Sequence, residues 1–326
     1  VYRFYGDRAA RDRRRFDYDP RPRRQPAPVV SACELLPYPP MWNVYALLAA
    51  TTLIAGLTPI AARMATAELP PLTLAFCRFG SAGVLLLLTG RAMGLRWSIT
   101  PSKRRVLIVL GALCVPINQT GFLVGIKLAN ASHAAIAYAL VPLLVFWISL
   151  ALRRTTLSLR MTLASLFAFA GATVVDLSTG PAVVQPGRLG FGLIVGDGLL
   201  LSAAVSWSVF AVLSQPLVKE LGAVQTLTAV FVIGTVWQIP LVAADGLWFD
   251  LSTFDLARVT WRGWTGFAFI TLITAYTNYL LWYLVTARYD VTRSSVVTNA
   301  HFLIPVLVEA AWCHQRLSGW VAVGSA

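Results

Sequence analysis

The strongest constraint on this chain is a succession of apolar stretches, each about as long as a lipid bilayer is thick. A helix rising 1.5 Å per residue needs about 20 residues to cross a hydrocarbon core of ~30 Å. A tenth stretch begins at Leu317 and reaches the last residue, Ala326. The nine that precede it are residues 43–63, 70–90, 106–126, 132–152, 158–177, 191–213, 222–243, 264–286 and 293–313.

These stretches are predicted to be helices. Backbone groups in lipid have no water to bond, so only helices and closed barrels span a membrane. Barrel strands alternate apolar and polar residues, whereas these runs are continuously apolar. The composition agrees, with 57% hydrophobic and 13% charged residues. We therefore predict an all-α polytopic membrane protein, a ten-helix bundle whose tenth helix is truncated.

The first forty residues have a different character. The segment "RAARDRRRFDYDPRPRRQPAP" is rich in Arg, Asp and Pro and cannot bury enough apolar surface to fold. We predict that residues 1–40 are a disordered cytoplasmic arm, or sequence upstream of a true start at Met41. The net charge of +13 comes largely from this arm and from gaps between apolar runs, so nucleic acid is not an expected partner. The expected partners are a small-molecule substrate and the lipid bilayer, with a homodimer left open.

The charges between the apolar runs predict the orientation. Lys and Arg are more numerous in the gaps after even-numbered runs than after odd-numbered ones. The positive-inside rule then places the N-terminus in the cytoplasm and the odd loops outside. We expect a multi-pass protein of a bacterial inner membrane. The four cysteines are scattered without ligand-like spacing, so neither a metal site nor any other cofactor is expected.

The two halves of the chain match each other at a nearly fixed offset. Adding 160 places Asn118 on Asn278 and Phe122 on Trp282, and adding 152 places "ELPP" (68–71) on "ELGA" (220–223). Five helices per half is an odd number, so the second half enters the membrane inverted. Inverted repeats with a site at their interface are typical of secondary transporters. We predict repeats at 41–178 and 190–326.

Four stretches carry a resemblance to a known family: "LPPLTLAFCRFG", "ANASHAAIAYALVPLLV", "GDGLLLSAAVSWSVFAVL" and "DVTRSSVVTNAHF". They resemble the EamA-type family of the drug/metabolite transporter superfamily, over residues 41–326. The resemblance implies two five-helix repeats that move small metabolites, amino-acid-like or drug-like, by alternating access. Efflux is the expected direction.

Arg78 interrupts an otherwise apolar stretch, residues 69–90. An arginine at the centre of a membrane helix costs about 2.5–3.5 kcal/mol on insertion scales, so its presence needs a reason. The side chain is interpreted in three ways: as an anchor between helices, as a contact for an anionic substrate group, or as a group that snorkels to the interface.

Other polar and aromatic residues inside the predicted spans are candidates for substrate binding. Asn118 and Asn278 are expected to face each other across a central cavity, although amides also bond neighbouring helices together. Pro116 is expected to free a backbone carbonyl near Asn118. Trp282 follows Asn278 by one turn, which places an amide and an aromatic ring on one face. Three further aromatic residues are candidate cavity walls, with simple packing as the alternative: Tyr138, Trp207 and Tyr279.

His301 and Glu309 are the candidates for proton coupling. They lie eight residues apart on the ninth predicted helix, so both occupy one stripe of it. Histidine titrates near neutral pH and is able to relay protons. The alternative is a glutamate close enough to the helix end to be solvated.

Two other function classes compete with a transporter. A membrane-embedded lipid-modifying enzyme would need clustered Asp, His or Glu near one interface, for example at HxxxD or DxxD spacing, and the sequence has no such cluster. A channel would need a filter-like repeat of small polar residues, which is also missing. No P-loop occurs, so the chain does not encode ATP as an energy source. A transporter without catalytic residues is therefore the predicted class.

Overall fold

The computed structural model describes residues 41–170 and 191–302, with 304 and 308, apart from single positions at 96, 98, 130, 161, 165, 168, 248, 249, 253, 288 and 290. The chain divides into two units, Val1–Val30 and Ser31–Ala326, and the first lies outside the described residues. The predicted arm, Glu309 and the tenth apolar stretch lie outside them too.

The described chain folds into helices. The first repeat contains α1 (Met41–Glu68), α2 (Pro71–Ala92), α3 (Pro101–Ala112), α4 (Asn118–Leu128), α5 (Ala131–Ala139), α6 (Val141–Ala151) and α7, residues 159–170 where described. The second contains α8 (Phe191–Leu221), α9 (Ala223–Val242), α10 (Trp261–Ala268), α11 (Tyr279–Thr286) and α12 (Val291–Thr298). Within the described residues, six continuous helices are long and apolar enough to cross a membrane: Val44–Glu68, Pro71–Ala92, Pro101–Leu128, Gly192–Leu221, Ala223–Val242 and Trp261–Thr286.

Each of the nine predicted stretches is helical where the structure describes it, with residues 171–177 of the fifth and most of 303–313 of the ninth lying outside the described residues, and one stretch differs in form. The predicted span 132–152 is two helices, α5 and α6, separated at Leu140. Pro142 occupies the first turn of α6, where its missing N–H and fixed φ suit a helix start. A proline that starts a helix therefore breaks this apolar stretch in two.

A wide π-helical turn occurs at the same place in each repeat. In the first, Leu113–Ile117 joins α3 to α4; in the second, Phe269–Asn278 joins α10 to α11. Adding 160 to residues 113–117 gives 273–277, inside the second π-helix. Pro116 lies in the first, and Ser206 Oγ donates a 2.7 Å hydrogen bond to Leu113 O there. π-turns of this kind often mark functional sites.

Most of the close helix packing is between the two repeats. α2 packs along α9, α4 along α8, and α1 along α10. Glycines permit the close approach: a Cβ on Gly121 would lie 2.5 Å from Leu199 O, and one on Gly266 would lie 2.6 Å from Ala61 O. Gly121 and Gly125 form the small-xxx-small spacing typical of membrane helix interfaces.

Phe79 and Phe231 mark where the repeats meet. They are equivalent residues at the 152 offset, neither has any solvent exposure, and their rings pack edge to face with centroids 4.7 Å apart. Contact between equivalent residues is expected only near a symmetry axis. The axis relating the repeats therefore passes between α2 and α9.

Candidate functional site

A cavity of about 160 Å³ lies between the two repeats. Its walls come from α1, α2, α4, α5, α6, α8, α11 and α12, from the π-helix Phe269–Asn278 and from the 3-10 helix Asn299–Phe302. Much of the lining consists of equivalent positions from the two repeats, at offsets of 152 in the first helix and 160 later. These pairs are Ala55/Trp207, Pro59/Ala211, Asn118/Asn278, Gln119/Tyr279, Phe122/Trp282, Tyr138/Thr298 and Val141/His301. Each repeat thus contributes the same positions to the cavity wall, and the side chains at those positions differ between the repeats.

All six residues predicted to bind substrate line this cavity. The structure brings Arg78, Asn118 and Tyr138 from the first repeat together with residues from the second. The second-repeat members are Trp207, Asn278 and Trp282. Their contact with a substrate stays a prediction, but the sequence did identify residues that share one space.

Arg78 is only 2% exposed, which excludes the snorkelling interpretation. Its Nε donates to the backbone oxygen of Ile270 at 2.8 Å, and its Nη1 donates to Gln119 Oε1 at 2.7 Å. Ile270 belongs to the π-helix of the second repeat, so the guanidinium links the repeats. It also lies over the Phe79 ring, 5.0 Å from its centroid. Arg78 is therefore an inter-helix anchor that still borders the cavity.

Asn118 is bound on both sides of its amide. Nδ2 donates to Tyr138 Oη at 3.0 Å and to the backbone oxygen of Ala203 at 2.8 Å, and Oδ1 accepts from Gln119 Nε2 at 2.5 Å. These bonds connect α4 with α5 and α8. The sequence left this amide open between helix bonding and substrate binding, and the structure gives it the contacts of the former.

Asn278 occupies the equivalent position but is not equivalently bonded. Its Oδ1 is buried and has no hydrogen-bond partner among the described residues. A buried polar atom without a partner costs free energy, so a donor arriving in the cavity would relieve that cost. This amide is the one whose acceptor is available for a ligand.

Aromatic rings form the apolar wall of the cavity. Trp207 and Tyr279 pack edge to face with centroids 5.3 Å apart. Trp282 lines the cavity one turn after Asn278. Phe122, its equivalent in the first repeat, packs against Tyr138 at 5.6 Å. The wall suits an apolar or aromatic part of a small molecule.

His301 lines the cavity near the end of the described chain. Its Nδ1 lies 2.9 Å from the backbone oxygen of Thr298. A carbonyl oxygen only accepts, so Nδ1 carries the proton and Nε2 remains the basic nitrogen. Glu309, the other proton-coupling candidate, lies outside the described residues.

Sequence reasoning missed several polar residues of the cavity. Gln119 couples Arg78 to Asn118 and was not singled out. Thr58 and Thr274 share a 3.0 Å hydrogen bond across the repeats. A glutamine inside a membrane span was a usable signal, whereas threonines are common in such helices because they bond their own backbone.

Carboxylates hold the helices at the two ends of the bundle. At one end, Asp245 accepts from Leu72 N at 2.7 Å and from Thr73 N and Thr73 Oγ1 at 2.6 Å each, which caps α2. Glu68 caps α10 at the same end through Thr260 N and Oγ1, at 2.6 and 2.7 Å. At the other end, Lys103 Nζ pairs with Glu220 at 2.6 Å.

A polytopic helical bundle with a cavity between two related repeats is an architecture found in membrane transporters. The chain belongs to the EamA-like transporter family, whose family model matches it twice, over residues 41–176 and 194–326. The two matches agree with the internal repeat seen in the sequence.

Known proteins and solved structures are similar to the chain. The "uncharacterized transporter YyaM" of Bacillus subtilis (strain 168) is 24% identical over 266 residues, which cover 81% of this chain and 83% of the relative. The "uncharacterized transporter YetK" of the same strain is 21% identical and covers 79% of this chain and 76% of its own length. A crystal structure with 20% identity and a TM-score of 0.64 covers 87% of this chain and 92% of its own, and shows the same fold.

Proposed function

We propose that the chain is a secondary transporter that exports a small amino-acid-like or drug-like metabolite by alternating access. The observation that carries this proposal is the cavity lined by equivalent positions of two repeats. Since the closest packing is also between the repeats, rocking one repeat on the other would change which end of the cavity is open.

The proposed location is the inner membrane of a bacterium, with the N-terminus in the cytoplasm. The excess of Lys and Arg in the even loops supports this orientation. In a variant without its native cysteines, single cysteines at Asp250 and at Arg104 should react with an impermeant thiol reagent from opposite sides. Reaction of both from one side would disprove the ten-helix topology.

The transport function is tested by filling the cavity. Ala55→Trp places in the first repeat the side chain that Trp207 supplies in the second, and it should occupy the space where substrate sits. Metabolite profiles of the medium from cells producing the protein should show an accumulating compound that the Ala55→Trp variant no longer exports.

The matched control is Val84→Trp, since Val84 is 56% exposed on α2 and does not line the cavity. It should export normally and insert in the membrane in equal amount. Unchanged export by a well-folded Ala55→Trp variant would show that this cavity is not the transport path.

A further inference from the structure

We infer that Arg78 is the anion-binding group of the cavity, and that the transported molecule carries one carboxylate that pairs with it. The inference rests on the proposed transport function, because it names the substrate class of that cavity. It depends on three observations: the charge balance around Arg78, its remaining donors, and the single occurrence of this charge in the two repeats.

The first observation is the charge balance. Each carboxylate in the described part of the chain has a partner other than Arg78, and all lie near helix ends or in loops. The pairs are Glu68 with Thr260, Asp197 with His133, Glu220 with Lys103, Asp245 with Leu72 and Thr73, Asp250 with Ser252, and Asp255 with Ala257 and Arg258. Within the described residues, the buried guanidinium therefore contacts neutral groups alone. A buried charge without an opposite charge costs free energy, so an anion that binds beside Arg78 would lower that cost.

The second observation is the number of donors. A guanidinium has five N–H groups, and hydrogen bonds to described residues use two of them, on Nε and Nη1. These two bonds fix the plane of the group at the cavity wall. Arginine binds carboxylates through two parallel N–H groups, and such bonds are roughly twice as strong as neutral ones.

The third observation is the asymmetry between the repeats. The residue equivalent to Arg78 is Val230, which is fully buried beside Phe231. Among the described residues that line the cavity, Arg78 is therefore the one arginine or lysine. A group with a single negative charge balances it, whereas a doubly charged phosphate would leave an uncompensated negative charge in an apolar site.

Other residues of the cavity indicate which further chemical groups the ligand carries. Asn278 Oδ1 accepts a hydrogen bond from a hydroxyl or amino group, and Trp207 and Trp282 cover an apolar portion. The expected ligand is a small monocarboxylate with a hydrogen-bond donor and an apolar body.

Matched acids and amides test the inference on the unaltered full-length protein. Thermal unfolding in detergent would be followed with acetate, benzoate, 3-phenyllactate and L-leucine, and with the amide of each. Acids should raise the unfolding temperature in a concentration-dependent way and their amides should not. Equal shifts by acids and amides, or no shift by any acid, would overturn the inference, as would stronger binding of inorganic phosphate.

Two variants link the effect to the residue. Arg78→Gln should weaken acid binding by about tenfold or more, the loss of a charge-assisted pair, while Arg78→Lys should keep part of it. Arg258→Gln removes an exposed arginine, 84% exposed at its side chain, and should bind acids normally. If Arg78→Gln fails to fold, the acid and amide series on the unaltered protein decides. Export of a neutral or cationic compound would refute this inference while leaving the proposed transport function intact.

Discussion

The two repeats place equivalent positions around one cavity but use them in opposite ways. In the first repeat, Asn118 is saturated by hydrogen bonds and belongs to a polar chain that reaches Arg78. In the second, Asn278 keeps an acceptor that has no partner among the described residues, beside aromatic side chains. The difference shows that two repeats with the same backbone arrangement can place polar groups with different hydrogen-bonding roles at equivalent positions.

The ends of the bundle differ in the same manner. Glu68 and Glu220 are equivalent at the 152 offset, and each contacts the beginning of the third span of the other repeat. Glu68 accepts from a backbone N–H and a hydroxyl of Thr260, whereas Glu220 meets the flexible ammonium of Lys103. Asp245 adds a buried cap at the Glu68 end. The Glu68 end therefore has more hydrogen bonds between helices, and we expect a lower free-energy cost for opening the Lys103 end.

The largest effect is expected from Asp245→Ala. Asp245 is 1% exposed, and its loss leaves two N–H groups of α2 and one hydroxyl unpaired. Hydrogen bonds to charged groups contribute about 1.5–3 kcal/mol each, so the variant should lose about 3 kcal/mol or more. Thermal unfolding in detergent measures the loss. Asp250→Ala, in the same loop but exposed, should change stability by less than about 0.5 kcal/mol. Similar losses in both variants would show that the cap is not the cause.

A smaller effect is expected from Asn118→Ala, and it sharpens the contrast with Asn278. Removing Asn118 leaves Tyr138 and Gln119 without their partner inside the bundle, a loss of about 2 kcal/mol. Asn278→Ala should leave the folded, membrane-inserted yield near normal and reduce transport. Transport assays paired with yield measurements check both. If Asn278→Ala lowers yield as much as transport, its role is to bond helices.

The smallest effects compare the two equivalent glutamates. Glu220→Gln should cost at most about 1 kcal/mol, because Glu220 and Lys103 form a partly exposed ion pair, and raised salt should reduce the difference further. Glu68→Gln should lower the unfolding temperature more, since an amide offers one acceptor where the carboxylate offers two to Thr260. Equal shifts in the two variants would remove the distinction between the ends.

The sequence predicted the fold well because a membrane permits few structures. Apolar runs of the right length had to be helices, and the offset between Asn118 and Asn278 already indicated a repeat. The division at Leu140 was missed, although Pro142 was a visible signal.

The candidate site was predicted only in part. Residues that interrupt apolar runs were found, because a polar group in lipid stands out in a sequence. The hydrogen bonds of Asn118 depend on Ala203, which belongs to another helix, and on Gln119, the next residue in the chain. A sequence offset treats the two amides as identical, and only the packed structure separates them.

The two matching wide turns also show what the repeats share and where they differ. The two π-helices overlap at equivalent positions, although the first has 5 residues and the second has 10. Pro116 accompanies the first, while Tyr276 stands at that position in the second, so proline is not what maintains the turn. The two copies thus share this turn and differ in their side chains: Arg78 carries a charge in the first, and Asn278 in the second keeps an acceptor without a partner among the described residues.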